Sequence, residues 1–184
     1  MFRARKTERK ESVSMNPYAA VEVASITELT PDWFQARGIR LMLLDFDNTI
    51  VPYTTVEPSE AFTRWLEALR SARVRVMVVS NSRKSRRVPE FCDARNIPWI
   101  IKAGKPSPRG LRQAMEQMGC TPRETAMAGD QTFTDILAAN AAGVTSVLVR
   151  PIDMSNPLHQ IRYGLEQPWI RGGRKRRKNS GNSL

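Results

Sequence analysis

The stretch Ile39-Arg40-Leu41-Met42-Leu43-Leu44-Asp45-Phe46-Asp47-Asn48-Thr49 decides how the chain is read. It is apolar almost without interruption from Ile39 to Leu44 and then turns acidic at Asp45. A strand apolar on both faces suits the inside of a parallel sheet covered by helices on both sides. Its polar end suits the place where open parallel sheets hold ligands, outside the carboxyl ends of the strands.

Working outward, the same pattern recurs. Upstream, Thr30-Pro31 reads as a helix N-cap with proline at the first helical position, and Gly38 as the stop. Periodicity over residues 16–25 predicts a short helix. Downstream, β-branched or apolar runs at 74–79, 99–101, 125–128 and 144–149 read as strands. Helices are predicted over 58–72, 85–95, 107–119 and 133–142, the last ended by Gly143, with a one-turn element at Thr121-Pro122. Strands alternating with helices of this length mean βαβ units and a parallel sheet.

The polar residues at the predicted strand ends are then the ones that carry chemistry. Asp45, Asp47, Asn48 and Thr49 follow the first strand of the central run, and Ser80-Asn81-Ser82 the second. Lys105-Pro106 precedes a helix, Gly129-Asp130 ends a strand, and Asp135 stands one helical turn further on. Carboxylates converging at strand ends repel one another unless a cation sits between them, and Mg²⁺ favours a few carboxylate oxygens together with waters and a phosphate oxygen. A lysine and a hydroxyl in the same place complement a phosphoryl group in its loose transition state. A carboxylate can also attack phosphorus and split one hard step into two easier ones. A second carboxylate two residues on can protonate the leaving oxygen and then activate water. No glycine-rich P-loop or dinucleotide fingerprint is present.

DFDNT, SNS, KP and GDQTFTD, in this order and spacing, resemble the haloacid-dehalogenase-like (HAD) superfamily of phosphatases. The resemblance implies a Rossmann-like three-layer α/β sandwich with a central parallel sheet. It implies Asp45 as nucleophile and Asp47 as general acid/base, with the Asp47 carbonyl also on the metal. Ser80, Asn81 and Lys105 would hold the phosphoryl group. Asp45, Asp47 and Asp130 would bind Mg²⁺, with Asn48, Thr49, Gly129 and Asp135 in support. The intervals 49–80 and 82–105 each have room for one helix and little more, so no large cap domain is expected and the site should lie open, as in the HAD-IIIA group. Within that group, NPYAAVEVASITELTPDWFQARGIR ahead of DFDNTIVPY, then IPWIIKAGKP and AMAGDQTFTDILAANAAGVTSVLV, is similar to the YqeG-type phosphatases, relatives of the phosphatidylglycerophosphate phosphatases. That likeness implies a lipid phosphomonoester as substrate. Arg83 and Lys84, in the run Arg83–Arg87, are candidate contacts for a second phosphate.

Composition sets the remaining bounds. The chain has 184 residues, 41% hydrophobic and 26% charged, which suits one globular domain and excludes wholesale disorder. No apolar run reaches the ~18 residues a membrane-spanning helix needs. Cys92 and Cys120 form no CxxC, and the one histidine, His159, has no partner for a zinc site. These features predict a cytoplasmic protein. The net charge of +11 is concentrated at the ends. Residues 1–15 hold five basic residues against two acids, and residues 171–184 hold six and none, which leaves 16–170 at +2. Three parts are therefore expected: a basic N-terminal segment over 1–15, a phosphatase domain over 16–170, and a flexible basic tail over 171–184. Such ends would hold the protein against the inner face of an anionic membrane. Nucleic acid would attract them too, by counterion release. Phosphatase action on a nucleic-acid end or a small sugar or nucleotide phosphate, and a non-enzymatic RNA- or ribosome-associated role, are the alternatives.

Overall fold

Each strand sends alternate residues to opposite faces, and here both faces are apolar. In the computed structural model, which describes residues 16–82 and 86–179, six strands form one sheet. They are β1 (Val21–Val23), β2 (Leu41–Leu44), β3 (Arg75–Val79), β4 (Trp99–Ile100), β5 (Thr125–Gly129) and β6 (Thr145–Val149). All neighbours are parallel, in the order β1-β6-β5-β2-β3-β4.

Met42, Leu44, Val76 and Val78 face one way, onto α1 (Pro31–Ala36), α2 (Glu60–Ser71) and α3 (Arg87–Asp93), with Phe34, Phe62, Trp65 and Phe91 among the contacts. Leu41, Leu43, Met77 and Val79 face the other way, onto α4 (Arg109–Met118) and α5 (Leu137–Ala142) through Leu111, Ala114 and Ala138. The three-layer sandwich follows from this two-sided burial. Burying each large side chain of α2 contributes roughly 1.5–3 kcal/mol, and Phe62, Trp65, Leu66 and Leu69 all do so. That is why α2 is held on the sheet.

Local signals set several boundaries. Thr30 caps α1, its side chain accepting from the Trp33 N–H at 3.4 Å, and Ser59 caps α2 by accepting from Phe62 at 3.1 Å. Gly119 and Gly143 end α4 and α5 in the left-handed conformation. Because α2 is the one helix between β2 and β3, and α3 the one between β3 and β4, no separate cap unit stands over the sheet among the described residues.

Two expectations are corrected. Residues 21–23 form an edge strand, where a short helix is predicted over 16–25. Val21 and Val23 enter the core and pair with Val147 and Val149 of β6, and this tertiary pairing outweighs a weak local periodicity. Residues 171–179, expected as part of a flexible tail, continue the long helix α6 (Pro157–Asn179). Arg174 and Arg177 dock that end on Glu22 of β1, with Arg174 Nε 3.0 Å from the carboxylate and Arg177 Nη1 donating to the Ala19 carbonyl at 2.8 Å. The expected basic segment over 1–15, the candidate contacts Arg83 and Lys84, and residues 180–184 lie outside the described residues. No described helix is long and apolar enough to cross a membrane.

Candidate active site

The sheet order reverses at β2, with β3 on one side and β5 on the other, and this switch point is where an open α/β sheet forms its crevice. Leu44 lies in register with Val78 and with Ala128, so the residues after β2, β3 and β5 emerge side by side. The Asp45 N–H continues the ladder to the Ala128 carbonyl at 2.8 Å. Asp45, Ser80 and Asp130 are thereby brought to one end of the sheet.

Lys105 organises what stands there. Its ammonium lies 2.6 Å from Asp45 Oδ1 and 2.6 Å from Asp135 Oδ1, with its side chain 1% exposed. Asn81 fixes the backbone of Lys105 from both sides: its Oδ1 accepts from the Lys105 N–H at 2.9 Å and its Nδ2 donates to the Lys105 carbonyl at 2.8 Å. The Asn81 amide thus acts on Lys105. Ser80 is buried, and its hydroxyl oxygen accepts from the Ser82 N–H at 3.0 Å.

Asp45, Asp130 and Asp135 are all buried and can each offer an oxygen within 4.8 Å of the others. Burial, the main cause, pushes the Asp45 carboxyl up to about 7, with Asp135 and Asp47 adding to the rise and Lys105 opposing it. Asp130 is pushed well above the ordinary carboxylate range, again chiefly by burial and then by Asp135 and Asp45. Burial alone would pull Lys105 down, but Asp135 and Asp45 outweigh it and keep the ammonium charged. Asp130 Oδ1 is buried without a hydrogen-bond partner, while Asp135 Oδ1 faces the Lys105 ammonium. Clustered buried carboxylates with an unsatisfied oxygen among them are a donor set that fits a hard divalent cation. The site is a candidate divalent-metal centre.

Gly129 lets the cluster close. A Cβ there would lie 2.3 Å from Asp135 Cγ and 2.3 Å from its Oδ2. Asp135 also turns back to accept from the Gln131 N–H at 3.1 Å, which shapes the π-helical turn Thr132–Ile136. Thr49 is buried, and its hydroxyl has no hydrogen-bond partner. Asn48, in the left-handed region at φ 64°, ties the acidic loop to the segment after β6. Its Nδ2 donates to the Asp153 carbonyl at 2.8 Å and its Oδ1 accepts from the Asp153 N–H at 2.9 Å.

Asp47 stands apart from the carboxylate cluster. Its carboxylate pairs with Arg87, which also donates to the carbonyls of Pro52 and Thr55 at 2.5 Å each and lies over the Phe46 ring. Arg87 belongs to the basic run noted in the sequence, but that reading singled out Arg83 and Lys84.

Other functional neighbours have no signal in the sequence. From α6, Arg162 Nη2 donates to Asp130 Oδ2 at 2.8 Å, which leaves Oδ1 free for a metal. Arg162 also shares a hydrogen bond with Tyr53, whose ring stacks on His159 at 4.3 Å. Glu166, buried one turn further along α6, accepts from the Thr132 N–H at 3.0 Å and holds the π-turn. These contacts join residues 32 and 34 positions apart, beyond the reach of a local motif.

Comparison with known proteins agrees with the geometry. Residues 102–151 match a family model described as HAD-hydrolase-like. The chain is 31% identical over 134 residues to "Probable phosphatase YqeG" of Bacillus subtilis (strain 168), covering 73% of this chain and 77% of that protein. It is 32% identical over 83 residues to phosphatidylglycerophosphate phosphatase 1, chloroplastic/mitochondrial, of Arabidopsis thaliana, covering 41% of this chain but 24% of that protein. The cobalt-bound form of deoxy-D-mannose-octulosonate 8-phosphate phosphatase from Haemophilus influenzae shares the fold at a TM-score of 0.51 and 18% identity, over 72% of this chain and 90% of that one. A second such phosphatase structure, from Vibrio cholerae, has a TM-score of 0.52 at 16% identity, over 72% and 76%. With the strand-end cluster, the uncapped sheet and a relative matched along most of its length, the chain belongs to the HAD-like hydrolases and, among them, to the YqeG type of phosphatase.

Proposed function

We propose that this phosphatase is Mg²⁺-dependent, works through an aspartyl-phosphate on Asp45, and removes the phosphate of phosphatidylglycerophosphate at the inner surface of the cytoplasmic membrane. The observation that carries the chemistry is the Lys105 bridge, which holds the Asp45 carboxylate oriented at the switch point with Asp130 beside it.

Asp45 attacks phosphorus through a carboxylate oxygen. An Asp45–O–P bond forms as the bond from phosphorus to the leaving oxygen breaks, and Asp47 gives that oxygen its proton. Asp47 then takes a proton from a water that attacks the same phosphorus, which releases inorganic phosphate and restores Asp45. Lys105 and the Ser80 hydroxyl complement the charge on the phosphoryl oxygens. A divalent cation bound by Asp45, Asp130 and the Asp47 carbonyl would supply the positive charge that favours the ionised nucleophile and neutralises phosphate. Arg87 orients Asp47, and Arg162 orients Asp130.

The lipid substrate draws support from two sources. The sheet end is not enclosed by a cap among the described residues, so a head group fixed in a membrane plane can reach Asp45. One of the relatives acts, by its name, on phosphatidylglycerophosphate. The test is phosphate release with Mg²⁺ from phosphatidylglycerophosphate in anionic vesicles, against an aryl phosphate, with Asp45→Asn as the blank. Strong preference for the lipid is expected, and turnover should fall ~10⁴-fold or more in the blank. Activity on soluble esters alone would remove the lipid. Wild-type turnover by Asp45→Asn would remove the nucleophile.

A further inference from the structure

Helix α6 carries an apolar stripe on its outside. Leu158, Ile161 and Leu165 are 72%, 60% and 65% exposed, and Trp169 continues the row at 37%. Spacings of three, four and four place them on one side of the helix, over roughly 17 Å of its length. Ile152, 52% exposed, precedes them. The inner side is made by other residues: Ile170 packs with Ala19, Ile136 and Leu148, and Glu166 and Arg162 reach the π-turn and Asp130. Trp169 also packs edge-on against Phe133, but Leu158, Ile161 and Leu165 are surplus to the fold.

Charge singles out what would cover it. The only acid in α6 is Glu166, which is buried, whereas Arg171, Arg174, Lys175, Arg176 and Lys178 are all exposed. The cleft beside the helix end, about 730 Å³ along β1, adds Arg37 and Arg150, and with Arg174, Arg177 and Lys178 they outnumber its acids Glu22 and Glu28. A second copy docked with its α6 parallel would bring these cations against each other, and one docked antiparallel would leave each basic end without an acidic partner on the other helix. Nucleic acid would leave the leucine and isoleucine side chains without a partner. A surface that is anionic above and hydrocarbon below satisfies both, which is the environment of an amphipathic helix lying in a bilayer interface.

We infer that α6 docks this protein onto anionic lipid, Leu158, Ile161 and Leu165 entering the interface and the basic end meeting the head groups. The same helix holds Asp130 through Arg162 and Tyr53 through His159, so docking brings the carboxylate cluster to the membrane surface. The inference rests on the lipid-substrate reading and deepens it by naming the face that meets the membrane.

Flotation of the full chain with phosphatidylglycerol-containing vesicles and with pure phosphatidylcholine vesicles tests this. Wild type should float with the anionic vesicles only. Combined Leu158→Ser, Ile161→Ser and Leu165→Ser should weaken binding at least ~10-fold, while the melting temperature and aryl phosphatase rate hold. Lys175→Glu with Lys178→Glu should weaken it too and reduce the salt dependence of what remains. Undiminished flotation of the triple variant would overturn the inference. So would a wild-type dimer that the triple variant turns into a monomer, or binding of an RNA oligonucleotide without binding of vesicles. Asp45-dependent hydrolysis of detergent-dispersed phosphatidylglycerophosphate without vesicle binding would sink the docking and leave the substrate reading standing. Vesicle binding without hydrolysis would do the reverse.

Discussion

The carboxylate cluster and helix α6 use charge in opposite ways. Around Lys105 the charges are dry: its side chain and that of Asp135 are each 1% exposed. On the outside of the basic end of α6 they are wet, and in the Arg174–Glu22 pair the arginine is 48% exposed. Removing one partner of a buried pair leaves an uncompensated charge in a poor solvent and costs about 3–5 kcal/mol, whereas an exposed pair contributes about 0–1 kcal/mol. The cluster is therefore fixed as a unit, and no member can be changed alone. The outside of α6 can be altered with little consequence for the fold. The two regions meet at Arg162 on Asp130 and at Glu166 on the turn that carries Asp135.

The strongest test of that contrast is Lys105→Met. It leaves Asp45 and Asp135 facing each other without their cation, so the metal-free protein should lose about 3–5 kcal/mol in urea unfolding. Turnover of an aryl phosphate should drop by ~10³-fold or more, because Lys105 pairs with Asp45, the proposed nucleophile, and would also meet the phosphoryl group. A loss near 1 kcal/mol would show that the cluster is as well solvated as the surface pairs.

Gly129→Ala should come next. The added methyl meets Asp135 at 2.3 Å, so that carboxylate must move away from Lys105. A cost of about 1–3 kcal/mol is expected. Steady-state kinetics should show kcat reduced ~100-fold with KM little changed. Wild-type kinetics would mean that Asp135 has freedom to shift and that the close approach is not needed.

These two positions also show why the cluster is legible in the sequence and its surroundings are not. Asp45, Ser80 and Asp130 stand directly after strands, and parallel register alone brings such residues together. Lys105 precedes α4 and Asp135 stands in the turn that leads into α5, both at the same end of the sheet, so the same topology places them. Arg162 carries no such mark, because its role depends on α6 crossing back over the site from beyond the last strand. Arg87 lies in a basic run that reads equally well as a solvated helix face. The edge strand Val21–Val23 is three residues long, too short for its alternation to declare itself without β6 beside it. The outward stripe of α6 has helical spacing, which in a sequence signals a buried face. Only the position of Ile170 and Glu166 on the other side reveals that the stripe faces out.

Arg162→Gln probes one contact between the two regions. The guanidinium occupies Asp130 Oδ2 and leaves Oδ1 for a metal. Losing an orienting partner behind a ligand typically costs 10–100-fold in metal affinity. Titration calorimetry with Mg²⁺ should therefore show binding weakened at least ~10-fold, and Arg162→Lys should recover part of it. Tighter binding would make Arg162 a competitor for the carboxylate, and α6 a brake on the site.

The smallest effect expected is one of pH, and it separates the dry region from the wet one without any substitution. In the metal-free fold, burial raises Asp45 to about 7 from an ordinary value of 3.8, so the protonated carboxyl is the favoured form. The stability this group contributes is complete below its unfolded pKa and is lost as pH rises through about 7. Asp130 shifts in the same direction. A divalent cation requires the ionised carboxylates, so binding releases protons and strengthens as pH rises. At a fixed Mg²⁺ concentration, the gain in melting temperature should be larger at pH 8 than at pH 6, by ~2–4 °C for each kcal/mol of added binding energy in a chain of this size. Asp45→Asn should flatten that dependence, because an amide has no proton to release. The Arg174 guanidinium on α6, held up further by its hydrogen bond to Glu22, stays charged and should add nothing to the difference. A gain independent of pH in the wild type would mean that Asp45 is already ionised before the metal arrives, and that Lys105 alone outweighs the burial of its partner.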